Sequence, residues 1–138
     1  AVSGGFDPIH VGHLAMFEDA KKIVGDSGKL LVFVNSDDFL ERKKGKAFMK
    51  ISDRLRIIRA FSVVDKAFKV VDKDMTVCKT LLKYRPNIFA NGGDRTKNNI
   101  PEFEICKKNG IGMLFGVGGK KIRSSSFFLK KYSESKSF

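Results

Sequence analysis

With 138 residues, 42% of them hydrophobic and 30% charged, the chain has the length and balance expected of a single folded domain over residues 1–138, an ordinary globular composition rather than a disordered one, with no second domain expected. Its 27 Lys and Arg against 15 Asp and Glu leave a formal charge of +12, which favours nucleotides and nucleic acids alike as partners. No apolar run reaches membrane-spanning length, no signal peptide opens the chain, and Cys78 and Cys106 are too far apart for a metal-ligand spacing, so a reduced, cytoplasmic protein without a metal site is expected.

Ala1-Val2-Ser3 is a short opening for a strand expected in the middle of a sheet, and it leads into Gly4-Gly5-Phe6-Asp7-Pro8-Ile9-His10-Val11-Gly12-His13. The two glycines free the backbone to turn tightly and let phosphates approach the amide N–H groups, while Pro8 stiffens the exit. His10 and His13, the only histidines, are three apart and share a face on a first helical turn, where unpaired N–H groups and the positive end of the helix dipole favour an anion. The plain alternative is a strand-to-helix turn with one capping and one buried histidine, and Asp7 reads as a turn or capping residue.

Apolar residues Leu14, Phe17, Ile23 and Val24, with Ala20 between them, predict a first helix from Val11 to a stop at Gly25. The run Lys29 to Asn35 reads as a strand covered on both faces. Ser36-Asp37-Asp38 then opens a loop that carries the cluster Arg42-Lys43-Lys44-Gly45-Lys46 and runs to Lys50. Ser52 is the expected cap of a helix containing Leu55, Ile57, Ile58 and Phe61. A short strand over Ala67–Val71, a helix from Asp74, a strand over Asn87–Asn91 closed by Gly92-Gly93, a short helix from Pro101, a strand over Ile111–Val117 and a last helix over Ser124–Lys131 complete the chain. This alternation predicts an α/β fold: a Rossmann-like, doubly wound, parallel five-stranded sheet with right-handed crossovers and ligands beyond the strands' carboxyl ends.

The run GGFDPIHVGH resembles the HxGH signature of the nucleotidyltransferase superfamily, in the form found in its small cytidylyltransferases and adenylyltransferases. Ser36-Asp37-Asp38, the Lys-rich loop, Ser52-Asp53-Arg54 and Val63-Val64-Asp65 resemble the layout of the glycerol-3-phosphate cytidylyltransferases, whereas Asn91-Gly92-Gly93-Asp94-Arg95 is more similar to the heptose-1-phosphate adenylyltransferases. Arg123-Ser124-Ser125-Ser126 occupies the place of the superfamily's second signature, whose hydroxyls and N–H groups suit a triphosphate.

The resemblance implies transfer of a nucleotidyl group, CMP from CTP ahead of AMP from ATP, to a small phosphorylated alcohol or sugar, with release of pyrophosphate. It implies His10, His13, Lys43 and Arg123 as catalytic residues, with Lys43 on a mobile loop. Gly4, Gly5, Phe6, Asp7, Gly92, Gly93, Asp94 and Ser124 to Ser126 would bind the nucleotide, and Arg54 the acceptor phosphate. Mg²⁺ would arrive on the triphosphate, and a homodimer, common in the family the chain resembles, is a possible assembly. Lys44, Lys46, Lys120 and Lys121 read as solvated charge. A basic module that binds nucleic acid is the competing class, but it lacks interleaved aromatic and basic residues or zinc spacing and leaves the histidine pair unexplained.

Overall fold

Val32, Phe33 and Val34 are completely buried and lie at the centre of the molecule, as a continuous apolar run of strand length requires. The computed structural model describes residues 1–92 and 100–118. In order, the chain forms β1 (Val2–Gly4), α1 (Val11–Val24), β2 (Leu31–Val34), α2 (Asp37–Lys44), α3 (Ile51–Ala60), β3 (Lys66–Lys69), α4 (Cys78–Tyr84), β4 (Ile88–Gly92), α5 (Glu102–Lys108) and β5 (Gly112–Val117). Strand alternation in β2 sends Val32 and Val34 into one core, with Phe17 and Ala20 of α1 and Ile58 of α3, and Phe33 into a second, with Val77, Leu81 of α4, Phe89 of β4 and Cys106 of α5. Helices therefore cover both faces of the strand layer, as the alternation of elements predicts.

The expected single five-stranded sheet is corrected in one respect. All the strand pairings are parallel, but they form two ladders, one in the order β1-β2-β3 and one pairing β4 with β5. Ala1 places the two side by side: its ammonium donates to the Ile88 carbonyl at 2.7 Å and its carbonyl accepts from the Ala90 N–H at 2.8 Å. With only Val2–Gly4 in β1 before the chain turns away, no longer ladder to β4 can form. The first core nevertheless runs across both ladders, since it holds Val2 and Val34 together with Ala90 and Val117.

Three local expectations also change. Ser36–Asp38 starts a helix instead of a loop: the Ser36 hydroxyl accepts from Phe39 N–H at 3.1 Å, Asp37 and Asp38 stand at the positive end, and Gly45 (φ +85°) closes α2. Ser52 does not cap α3, because Lys50 holds the cap position and its carbonyl already accepts from Asp53 and Arg54. Asp74 does not begin α4; the buried Asp72 carboxylate takes Lys79 N–H at 2.6 Å and Thr80 N–H at 2.9 Å and so fixes the helix start later. The predicted helix over Ser124–Lys131 lies outside the described residues. Both cysteines pack, as expected: burial, reinforced by the Glu102 carboxylate, pushes the Cys106 thiol up to about 11 and raises Cys78 as well. Among the described residues no helix is long and apolar enough to cross a membrane.

Candidate active site

The carboxyl end of β1 feeds directly into the N-terminus of α1, and the loop between them is shaped by close packing. A side chain on Gly4 would come within 2.9 Å of the Phe6 ring, and one on Gly5 within 2.9 Å of Leu40. Phe6 itself sits in the left-handed region (φ +51°), a conformation that costs a non-glycine residue on the order of 1–3 kcal/mol. Its ring is held edge-on between His13 (5.0 Å) and Phe17 (5.2 Å), so the strain is met by packing in the first core.

The histidines form a reciprocal cap at the start of α1. His10 Nδ1 accepts from Gly12 N–H at 3.1 Å, and His13 Nδ1 accepts from His10 N–H at 3.1 Å, with the rings stacked 3.8 Å apart. An Nδ1 that accepts a hydrogen bond carries no proton, so each neutral imidazole holds its proton on Nε2. Two N–H donors thus belong to the first turn of a helix that has no acidic residue there to offset its dipole.

Asp7 anchors this loop to the segment after α2. The residue is 1% exposed, and its carboxylate accepts from Phe48 N–H at 2.7 Å and Met49 N–H at 2.5 Å. Lys44 closes the arrangement, with Nζ 3.0 Å from the Asp7 carboxylate and donating to the Asp7 carbonyl at 2.7 Å. The expectation that Lys44 is only solvated charge is therefore corrected: its side chain is 22% exposed and pairs with a buried carboxylate. Nothing in the sequence distinguishes Lys44 from Lys43 and Lys46; the partner becomes visible only when α2 is seen to end beside the loop.

Arg54 also has its partners within the protein. Expected at an acceptor phosphate, it is fully buried, and its guanidinium donates to the carbonyls of Gly5 (2.8 Å), Asn35 (2.7 Å) and Met49 (2.9 Å) and to the Asp37 carboxylate (2.6 Å). It ties the phosphate loop, the tip of β2, the start of α2 and the approach to α3 into one unit. A buried cation with this many partners is a positioning residue, and removing it strips three backbone carbonyls and a carboxylate of their donor, a destabilising loss. Lysine cannot replace the planar fork.

Lys43 is exposed on the last turn of α2, its Nζ 5.8 Å from the Phe39 ring centroid, so it stands on a helix and not on the expected mobile loop. Gly92 ends β4, where a side chain would meet the Val117 carbonyl at 2.9 Å and Met16 of α1 at 3.1 Å. The structure therefore gathers Gly4, Gly5, Phe6, Asp7, His10 and His13 along the β1–α1 connection and the first turn of α1, sets Arg54 behind it and Lys43 on the neighbouring helix. Gly93, Asp94, Arg123, Ser124, Ser125 and Ser126 lie outside the described residues.

Comparison with known proteins points to the same loop-and-helix architecture. The cytidylyltransferase-like family matches residues 1–123. Over 112 residues the chain is 37% identical to the bifunctional protein HldE of Streptomyces coelicolor, covering 80% of this chain and 23% of that protein. It is 34% identical over 102 residues to the FAD synthase of Methanopyrus kandleri (74% of this chain, 65% of the relative) and 36% identical over 95 residues to that of Korarchaeum cryptofilum (68% and 63%). The chain thus spans less than two thirds of the length of these relatives. The crystal structure of the lipopolysaccharide core biosynthesis protein from Thermoplasma volcanium superposes with a TM-score of 0.67 at 27% identity, covering 83% of this chain and 91% of that one. A match that includes the glycine loop, the paired histidines and the five strands of the described residues makes this chain a member of the cytidylyltransferase-like nucleotidyltransferase family.

Proposed function

We propose that the chain catalyses attack of an acceptor's phosphate oxygen on the α-phosphorus of ATP, so that the bond to the β-phosphate breaks, pyrophosphate leaves and an adenylyl group is joined to a small phosphorylated acceptor. The observation that carries the reaction class is the reciprocal histidine cap, which puts a proton on Nε2 of both His10 and His13 at a helix N-terminus. Charge that develops on the α-phosphate and the leaving group is stabilised by these donors and by the positive end of α1, and no covalent intermediate on the enzyme is required. Lys43 on α2 adds a cation, and Arg123 with Ser124 to Ser126 supplies further triphosphate contacts. The Asp7 carboxylate is already engaged by two N–H groups and Lys44, so Mg²⁺ enters as part of the substrate, on the triphosphate.

ATP is favoured over CTP by two considerations. The Asn91-Gly92-Gly93-Asp94 run is of the adenylyltransferase kind, and FAD, which several relatives are named for making, is FMN joined to an adenylyl group. CTP remains the second reading, favoured by the Ser36–Arg54 layout. Melting the protein with each of the four nucleoside triphosphates and Mg²⁺ tests this. A ligand at a hundred times its dissociation constant adds about 2.7 kcal/mol, which shifts the melting temperature by several degrees. The largest shift is expected with ATP, together with pyrophosphate release in the presence of a sugar 1-phosphate, glycerol 3-phosphate or FMN. A larger shift with CTP changes the nucleotide and keeps the reaction. Equal shifts with all four and a larger one with oligonucleotides would replace the enzyme with a nucleic-acid-binding module.

A further inference from the structure

Asn35 stands at the tip of β2, one residue beyond the strand. Its backbone is fully committed: the N–H donates to the Gly4 carbonyl at 2.9 Å and the carbonyl accepts from Arg54 at 2.7 Å. The residue is 7% exposed, yet its side-chain Oδ1, buried from solvent, accepts no hydrogen bond. The buried Asp7 and Asp72 carboxylates, by contrast, are satisfied several times over, while Glu102 Oε2, under α4 and away from the strand tips, is the other buried side-chain oxygen among the described residues without a donor. A buried amide oxygen left without a donor destabilises a fold, and such groups persist where a ligand or a functional requirement retains them.

Its placement says which part of a ligand it would meet. Because Val34 points into the core beneath α1 and α3 and Phe33 into the core beneath α4 and α5, alternation puts the Asn35 side chain on the Phe33 side. The same register places Asn91 of β4 on that side, where its amide is held by the Leu114 carbonyl at 3.4 Å. The histidine cap belongs to α1, on the other side of the strand tips. A ligand whose phosphates rest on that cap and which lies across the tips of β1 and β2 brings its non-phosphate part to Asn35. The terminal torsion of asparagine is broad, so a small rotation turns either amide atom toward an arriving group.

We infer that Asn35 is a specificity-determining residue that hydrogen-bonds a hydroxyl of the ligand, on the face of the strand layer opposite the histidine cap. The inference rests on the nucleotidyltransferase reading. Two sources supply such a hydroxyl: the ribose of the nucleotide and the polyol portion of the phosphorylated acceptor.

The test compares the wild type with Asn35→Leu and Asn35→Ala, using thermal melts for folding and calorimetry for binding of ATP, CTP, their 2′-deoxy forms, glycerol 3-phosphate, FMN and inorganic triphosphate. Leucine keeps the branched heavy-atom skeleton and removes the stranded oxygen, so its melting temperature is expected to equal or exceed that of the wild type. Binding of a hydroxylated ligand should weaken about three- to tenfold, the equivalent of one lost hydrogen bond, while inorganic triphosphate, which has no hydroxyl, binds as before. A deficit with ATP or CTP that is absent with the deoxy form assigns the ribose, and a deficit with glycerol 3-phosphate or FMN assigns the acceptor. Unchanged binding of every ligand, an equal loss with inorganic triphosphate, or a lowered melting temperature in both variants overturns the role of Asn35. A wild type that binds none of the nucleoside triphosphates overturns the enzyme reading and takes this inference with it, whereas a wild type and variants that bind them equally overturn the inference alone.

Discussion

His13 joins folding and chemistry in one side chain. Its Nδ1 completes the cap on His10 N–H, and its ring packs against Phe6 and His10. Loss of a reciprocal cap costs about 1 kcal/mol, a small part of the stability of a domain this size. His13→Ala is therefore expected to give a folded protein whose melting temperature falls by a few degrees. Turnover should drop about 10²–10³-fold, the range for one preorganised donor to developing charge. Circular dichroism separates the two effects: a folded variant with near-normal turnover would leave His13 as a capping residue only. Arg54 shows the reverse division of labour, since all its described contacts are to the protein itself and its influence on chemistry passes through the loop it holds.

At the scale of elements, α2 sets two neighbouring lysines to different tasks. Lys44 is fastened to buried Asp7, and Lys43, one residue earlier, points its charge outward on the same helical turn. Lys44→Ala leaves the carboxylate short of its counter-charge and should lower unfolding free energy by about 1–3 kcal/mol in urea titrations. Lys43→Ala should stay within about 0.5 kcal/mol of the wild type and instead reduce turnover. Equal effects from both would mean diffuse positive charge. The same helix marks where the sequence stops being legible. The phosphate loop, α1 and all five strands announce themselves through glycine, apolar periodicity and uninterrupted apolar runs. By contrast, α2 buries only Leu40 and depends on its Ser36 and Gly45 caps, so apolar spacing carries no trace of it. The Asp7–Lys44 and Arg54–Asp37 pairs join residues 37 and 17 positions apart, contacts that no local pattern encodes.

For the molecule as a whole, acid stability hangs partly on the clamp between the end of α1 and the start of β2. Lys21 donates to the Asp65 carboxylate and to the Gly28 carbonyl, each at 2.8 Å, while Leu30 N–H donates to the same carboxylate at 2.7 Å. Those two donors, Lys21 first, hold the Asp65 carboxyl below the usual carboxylate range. A depressed acid stabilises the fold fully above its unfolded value of about 3.9 and stops doing so as pH falls through the folded value. The melting temperature is therefore expected to decline below about pH 4, and to decline less steeply in Asp65→Asn, which has nothing left to protonate. A parallel decline in both would assign the acid sensitivity elsewhere. Because a third of the Asp65 side chain is exposed, the difference should be modest.

The division of the strand layer into two ladders also has a mechanical meaning. Three residue pairs join β1 to β2 and four join β2 to β3, whereas among the described residues the only backbone hydrogen bonds between β1 and β4 flank Ala1. Hydrogen bonding is thinnest at this seam, where the shared first core carries the join instead. The histidine cap stands on one side of it and the tips of β4 and β5 on the other, so a nucleotide reaching across both would act as a rivet over the most sparsely bonded line between the described strands.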